Sequence, residues 1–304
     1  MAKAPSFHSV YSGKLGANVY FRNKAGKARQ GVRERVVEVA NPKTYAQARQ
    51  RMIMAAVQNF YGALKPLIDR GFETKAYGNP SRLRFLQLAM SADYKGAYVP
   101  KGTKVPVPCN VPITEGSLPS MTGTRGFNRF SYPVTNVVVP TQPGALGTIG
   151  SVSSLLISSG RAKAGDQITI LFAVGYGTQA GQYNDFFVYR DISFIVDPAD
   201  TTNMRTQLKM LPVVDAVTGG YQLGFDISDT DFLNSDEELQ GYAIIHSREG
   251  ESGQHLRSSE RLEINLGEEI LSDMTKYYSD EAYNAAVASY MGSSKTTDWP
   301  EVPE

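Results

Sequence analysis

Val19 and Phe21 alternate with Asn18, Tyr20 and Arg22, which predicts a strand over Ala17–Arg22 with one buried face. Asn23-Lys24-Ala25-Gly26 supplies a turn in which Gly26 is free to take a positive φ, and the extended, β-branched pattern resumes over Lys27–Val39. The two runs therefore predict a hairpin. On its returning strand Arg33 and Arg35 share a face with Val37 and Val39, and Val32, Glu34, Val36 and Glu38 share the other. Neither face is cleanly apolar, so such a hairpin calls for a partner surface.

The period then changes. Met52, Ala56, Phe60, Leu64 and Leu67 recur at helical spacing, with Arg49, Arg51 and Gln58 off the stripe, and predict one bent helix over about 42–70. Asn41-Pro42 offers one start and a Thr44/Gln47 capping box another; Pro66 predicts a kinked or divided last turn and Gly71 a stop. Asn79-Pro80 opens a second helix of about ten residues, with Leu83, Leu86 and Met90 as its stripe. From Gly96 to Gly126 five prolines and many Gly, Ser and Thr leave no period, which reads as a connector or long surface loop draped over a neighbouring surface.

Beyond Asn128 the runs are short and of β type: Ser131–Val139, Val152–Ser158, Gln167–Gly175, Asp185–Ile195, Thr206–Val214, Gly220–Ile227, Gly241–Ser247 and His255–Ile264. Ile168, Ile170, Phe172 and Val174 alternate strictly and should face the core. A last helix is predicted over Ser279–Met291, with Asp280 and Glu281 in its first turn. The expected fold is mainly β with α: a basic N-terminal hairpin and long helix, an immunoglobulin-like antiparallel β-sandwich and a short C-terminal helix. The expected segments are a leader (1–95), a Pro/Gly-rich connector (96–127), the sandwich (128–270) and an acidic helix and tail (271–304).

Charge alters this picture more than composition does. The 304 residues carry a net charge of only +1, yet residues 1–53 hold eleven Lys and Arg against two acids, and residues 221–304 hold eighteen acids against five Lys and Arg. The near-neutral total conceals a basic and an acidic end. A single cysteine, Cys109, excludes an internal disulfide framework, and no apolar run is long enough for a membrane span or a secretory signal.

Catalytic motifs are missing: no Gly-x-Ser-x-Gly, no phosphate-loop signature, no His-Glu-x-x-His and no Cys-x-x-Cys. The acidic run Asp226, Asp229, Asp231, Asp236, Glu237, Glu238 has oxygen ligands for calcium but lacks the EF-hand spacing, and a solvated connection is the better reading. His246 and His255, on neighbouring predicted strands, read as ordinary hydrogen-bonded residues before acid–base groups.

The basic end has two readings. Lys14, Arg22, Lys24, Lys27, Arg29, Arg33, Arg35, Arg49 and Arg51, with Tyr20, Phe21 and Tyr45 among them, suit nucleic acid: neutralising about six phosphates would give a log–log salt slope of roughly −5. Self-assembly uses both charge poles, a basic leader meeting the acidic part of a neighbour, with Trp299 in the tail as a further aromatic contact.

Gly16, Asn18 and Val19, then Arg33, then Asn41-Pro42-x-Thr44-x-x-Gln47-x-x-x-Arg51 resemble the opening of an uncharacterised protein family common in Bacteroidota genomes and in phages of those bacteria. Tyr242–Arg248 and Arg257-Ser258-Ser259 resemble its closing strands more loosely. The resemblance implies a β-sandwich behind a basic leader, no assigned catalytic residue and a phage or mobile-element origin. The expectation is a non-enzymatic virion structural or assembly protein, made in the bacterial host cytoplasm and located in the virion. Its expected partners are further copies or other virion proteins, with DNA or RNA second, and it needs no cofactor, membrane or small-molecule substrate. A single-stranded nucleic-acid-binding protein is the alternative, and a calcium-dependent binding module a third class.

Overall fold

A computed structural model describes residues 13–15, 18–22, 30–34, 44–91, 96–123, 134–139, 146–176, 187–204, 210–214, 221–225, 237–250, 255–264 and 277–292. It divides into two units, Met1–Lys43 and Thr44–Glu304.

In the first unit, β1 (Gly13–Leu15), β2 (Asn18–Arg22) and β3 (Gln30–Glu34) form an antiparallel sheet in that order. The predicted hairpin is the β2–β3 pair, with Val19 opposite Arg33 and Phe21 opposite Gly31. The pairing of β1 with β2, Lys14 opposite Val19, extends it by a strand the periodicity did not predict, because three residues are too few to show a period.

The second unit begins with α1 (Tyr45–Ala63). Of the two predicted starts, Thr44 is the cap, its hydroxyl accepting from the Gln47 amide; Asn41-Pro42 lies outside the described residues. The predicted single helix breaks at Leu64, and α2 (Lys65–Ile68) carries Pro66, which has no amide to continue the ladder. Gly71 does more than stop it: a Cβ there would sit 2.6 Å from the Ile113 carbonyl oxygen. In α3 (Asn79–Ala89) the buried stripe is Ser81, Phe85 and Ala89, while the predicted stripe residue Leu83 is 56% exposed.

The 96–123 segment is not a surface connector. Ala97, Val99, Val107, Cys109, Val111 and Ile113 are buried, and the chain runs through the core. It has no period because its backbone is satisfied one group at a time: Asn59 donates to the Thr103 carbonyl at 2.9 Å, Tyr189 to that of Pro106 at 2.8 Å, and Tyr278 to that of Pro108. Within it β4 (Pro112–Thr114) forms a short strand.

Next come β5 (Val134–Val139) and α4 (Ile149–Ser158). Helix α4 corrects the strand predicted over Val152–Ser158. Ile149, Val152, Ser153 and Leu156 are buried at helical spacing, and Thr148 and Ser151 form a reciprocal capping box. Gly150 is required there, because a Cβ would lie 2.5 Å from the carbonyl oxygens of Pro198 and Asp200.

The remaining elements are β6 (Gln167–Tyr176), β7 (Phe187–Ile195), β8 (Met210–Val214), β9 (Tyr221–Phe225), β10 (Glu237–Glu249), β11 (His255–Arg257), β12 (Glu260–Arg261), β13 (Glu263–Ile264) and α5 (Asp280–Met291). Strands β11, β10, β6 and β7 lie side by side in that order, with β13 also on β10, in an antiparallel five-stranded sheet. β5, β9 and β8 form a three-stranded sheet, and β12 pairs with β4. The chain is thus mixed, with antiparallel open sheets and a few helices.

The five-stranded sheet is buried on both faces. Ile168, Ile170, Phe172 and Val174 face the core as predicted, packing with Tyr242 and Ile244 against α4, β5 and Leu223 of β9. The intervening Leu171 and Ala173, with Ala243 and Ile245, pack against Met52, Phe60, Phe85 and Val287 of the helices. The helices near the N-terminus of this unit therefore share one core with the β region, and the boundary in the chain falls at Lys43. Helix α5 matches its prediction, with Ser279 accepting from the Ala282 amide at 3.1 Å and Gly292 left-handed at φ 66°.

Candidate functional sites

The predicted basic site falls mostly in the first unit. Lys14 and Arg33 both stand opposite Val19 in register, Arg22 pairs with Gln30, and Tyr20 and Phe21 lie on the central strand β2. Lys24, Lys27, Arg29, Arg35 and Trp299 lie outside the described residues, as do Asp226, Asp229, Asp231 and Asp236. Arg49 and Arg51 are exposed on α1. Tyr45 helps to seat α1 on α5: its hydroxyl lies 2.5 Å from that of Tyr283, whose ring meets Tyr98 edge-on at 4.9 Å. Burial and the Tyr45 hydrogen bond push the Tyr283 phenol well up.

A cluster that no local motif announces forms where the turn before β6 meets β10. Asp166 is 1% exposed and His246 not at all. Asp166 accepts from Arg248 Nε at 2.6 Å, Arg248 Nη2 at 2.7 Å and the Lys163 amide at 2.7 Å, and its Oδ2 lies 2.8 Å from His246 Nε2. Burial pushes its carboxyl up, but the guanidinium, amide and imidazole outweigh this and hold it below the usual carboxylate range.

Ser258 is close by, so a Ser/His/Asp set is present in composition. Its geometry is wrong for catalysis. Ser258 Oγ accepts from the His246 backbone amide at 3.0 Å instead of meeting the ring, and His246 Nδ1 is buried without a hydrogen-bond partner. With serine and histidine both fully buried, no substrate reaches them, and the cluster ties β10 to β6 and β11.

A second buried carboxyl, Glu260 of β12, accepts from the hydroxyls of Thr122 at 2.7 Å and Ser120 at 3.0 Å, both on Oε2, while Oε1 has no hydrogen-bond partner. Burial pushes it up against the opposing pull of those hydroxyls, of Ser258 and of the Met121 amide.

One accessible feature among the described residues is a cleft of about 440 Å³ between the α2–α3 connection and edge strand β11. Its acids are already engaged. Asp69 accepts from Tyr61 at 2.7 Å and pairs with Lys65; Glu73 accepts from the amides of Ser117 at 2.8 Å and Arg257 at 3.3 Å and from the Ser117 hydroxyl. Burial raises both carboxyls, and these donors bring each below its ordinary value. Among the described residues no group of three or more His, Cys, Asp or Glu is placed to hold a metal ion, and no helix is long and apolar enough to cross a membrane. Comparison with protein-family models, curated proteins and solved structures gave no match.

Proposed function

We propose that this chain is a non-enzymatic structural or assembly protein of a phage virion, which associates with further copies or with other virion proteins through its basic N-terminal unit. The observation that carries this reading is that the charge divides where the structure does. Residues 1–43 hold nine Lys and Arg against two acids, a net +7, so residues 44–304 hold −6. The described residues of this unit form a sheet of three short strands, marginal by itself, and a surface of opposite sign on a neighbour supplies what such a sheet lacks. The resemblance of the leader and of Asn41-Pro42-x-Thr44-x-x-Gln47-x-x-x-Arg51 to a family common in Bacteroidota genomes and in phages of those bacteria supports the virion assignment. An immunoglobulin-like sandwich is not required: a sheet covered by helices on one face and by α4 and a smaller sheet on the other serves as the rigid body.

Native mass spectrometry and electron microscopy of the full chain test this. Ordered multimers are expected at low salt, weakening as ionic strength rises. Charge reversal at Lys14→Glu, Arg22→Glu and Arg33→Glu is expected to reduce association at least tenfold. A chain that stays monomeric and binds single-stranded oligonucleotide with a steep salt dependence instead overturns the assembly reading in favour of nucleic-acid binding.

A further inference from the structure

We propose that the outer edge of β7 pairs antiparallel with the same edge of a second copy of this chain, joining two five-stranded sheets across a two-fold axis at Ile192.

Other sheet edges in this unit are blocked, each by a different device. At the far end of the same sheet, the Arg257 carbonyl of β11 accepts from the Leu118 amide at 2.9 Å. On the three-stranded sheet, the Asn136 amide of β5 donates to the Met121 carbonyl at 3.0 Å, and β8 carries Pro212, which has no amide to offer. β7 has none of these. It runs for nine residues, about 30 Å, with no proline, no lysine and no break in its register with β6. Among the described residues no strand or bridge lies on its other side. A long, regular edge of this kind is a template for another strand.

The residues of β7 choose the occupant. Facing side chains in an antiparallel pair lie on one side of the sheet, so a two-fold axis passes through a residue, which then faces itself. An axis at Arg190 or Asp191 sets like charges directly opposite, and one at Tyr189 or Ser193 sets Asp191 against Phe187 or Ile195. At Ile192 these conflicts vanish. Ile192 meets its own counterpart, Asp191 meets Ser193, Arg190 meets Phe194 and Ile195 meets Tyr189. Ile195 is 61% exposed in the single chain, and this register gives it an aromatic neighbour. One strand thus supplies both halves of a matched interface. No residue of the basic unit takes part, so the inference does not rest on the assembly reading above.

Sedimentation velocity and native mass spectrometry test it on the full chain carrying Lys14→Glu, Arg22→Glu and Arg33→Glu, which removes association through the basic unit. A dimer with a dissociation constant below about 100 μM is expected. Added Ile192→Cys is expected to form a disulfide-linked dimer under mild oxidation, because directly facing Cβ atoms lie about 5 Å apart; Ser193→Cys is not, because position 193 faces Asp191. Cys109 is buried and takes no part. Ser193 is exposed, so charged substitutions there leave the fold intact. Ser193→Glu places like charges opposite one another twice per dimer and is expected to weaken it about tenfold, whereas Ser193→Lys, facing Asp191, is not. A monomer at about 100 μM, equal dissociation constants for Ser193→Glu and Ser193→Lys, or cross-linking at 193 without cross-linking at 192 overturns the proposal. Wild-type multimers that the three leader substitutions leave unchanged count against the assembly reading alone, since the Ser193 pair still decides the β7 edge.

Discussion

Asp166 and Glu260 are both buried carboxyls in the same unit, 1% and 4% exposed, and they are treated in opposite ways. Asp166 receives a bidentate guanidinium, a backbone amide and an imidazole nitrogen; Glu260 is met only by uncharged donors, the hydroxyls of Thr122, Ser120 and Ser258 and the Met121 amide. Burial is the largest influence on each, yet Asp166 ends below its ordinary range and Glu260 above. In this core uncharged donors do not offset the desolvation of the Glu260 carboxylate, whereas a set that includes the Arg248 guanidinium offsets that of Asp166. Arg248 meets the Asp166 carboxylate, whereas the Arg257 guanidinium donates to the backbone carbonyls of Arg70 and Leu256.

The largest effect is expected at the paired site. Asp166→Asn leaves Arg248 without its partner and is expected to cost about 3–5 kcal/mol in urea unfolding. Arg248→Met added to Asp166→Asn should recover part of the loss, since it removes the stranded charge. If Asp166→Asn costs no more than Glu260→Gln, the distinction between the two carboxyls collapses. The pH dependence sharpens it further. A carboxyl held below its ordinary value of 3.8 contributes stability that is present above that value and lost as pH falls through its lowered one. Unfolding curves below about pH 4 should therefore flatten in Asp166→Asn relative to the parent.

None of this was legible along the chain, and the reason is separation. Asp166 and His246 are 80 residues apart, and Arg70 and Arg257 are 187 apart, so no spacing rule brings either pair together. What could be read was local. The caps and stripes of α1 and α5, the β2–β3 hairpin and the alternation of β6 are each dictated within a few turns or one strand. Errors arose where two local signals compete. In α4 the Ser-rich, β-branched composition suggested a strand, while the spacing of Ile149, Val152 and Leu156 and the Thr148 cap favour a helix. In α3 Leu83 looked like the core residue because it is apolar, but Phe85 faces inward, and a short amphipathic segment with Leu at 83, 86 and 88 does not distinguish the faces. The 96–123 segment was illegible for a deeper reason: its burial depends on tyrosines from elsewhere in the chain satisfying proline-flanked carbonyls.

The smallest effect, and the one with the most diagnostic sign, belongs to Glu260. Its carboxyl is raised above the ordinary 4.5, so its contribution to stability is fully present below that value and is lost as pH rises through the raised one. The ionised form is buried with Oε1 unpartnered, a cost that a neutral amide of nearly the same shape avoids. Glu260→Gln is therefore expected to stabilise the protein at pH 8 by on the order of 1 kcal/mol and to bring little or no gain at pH 4. Urea unfolding at the two pH values measures the difference. A loss of stability at pH 8 would mean that the hydroxyls and the Met121 amide compensate the charge after all, and that uncharged donors suffice to keep a carboxylate in this core.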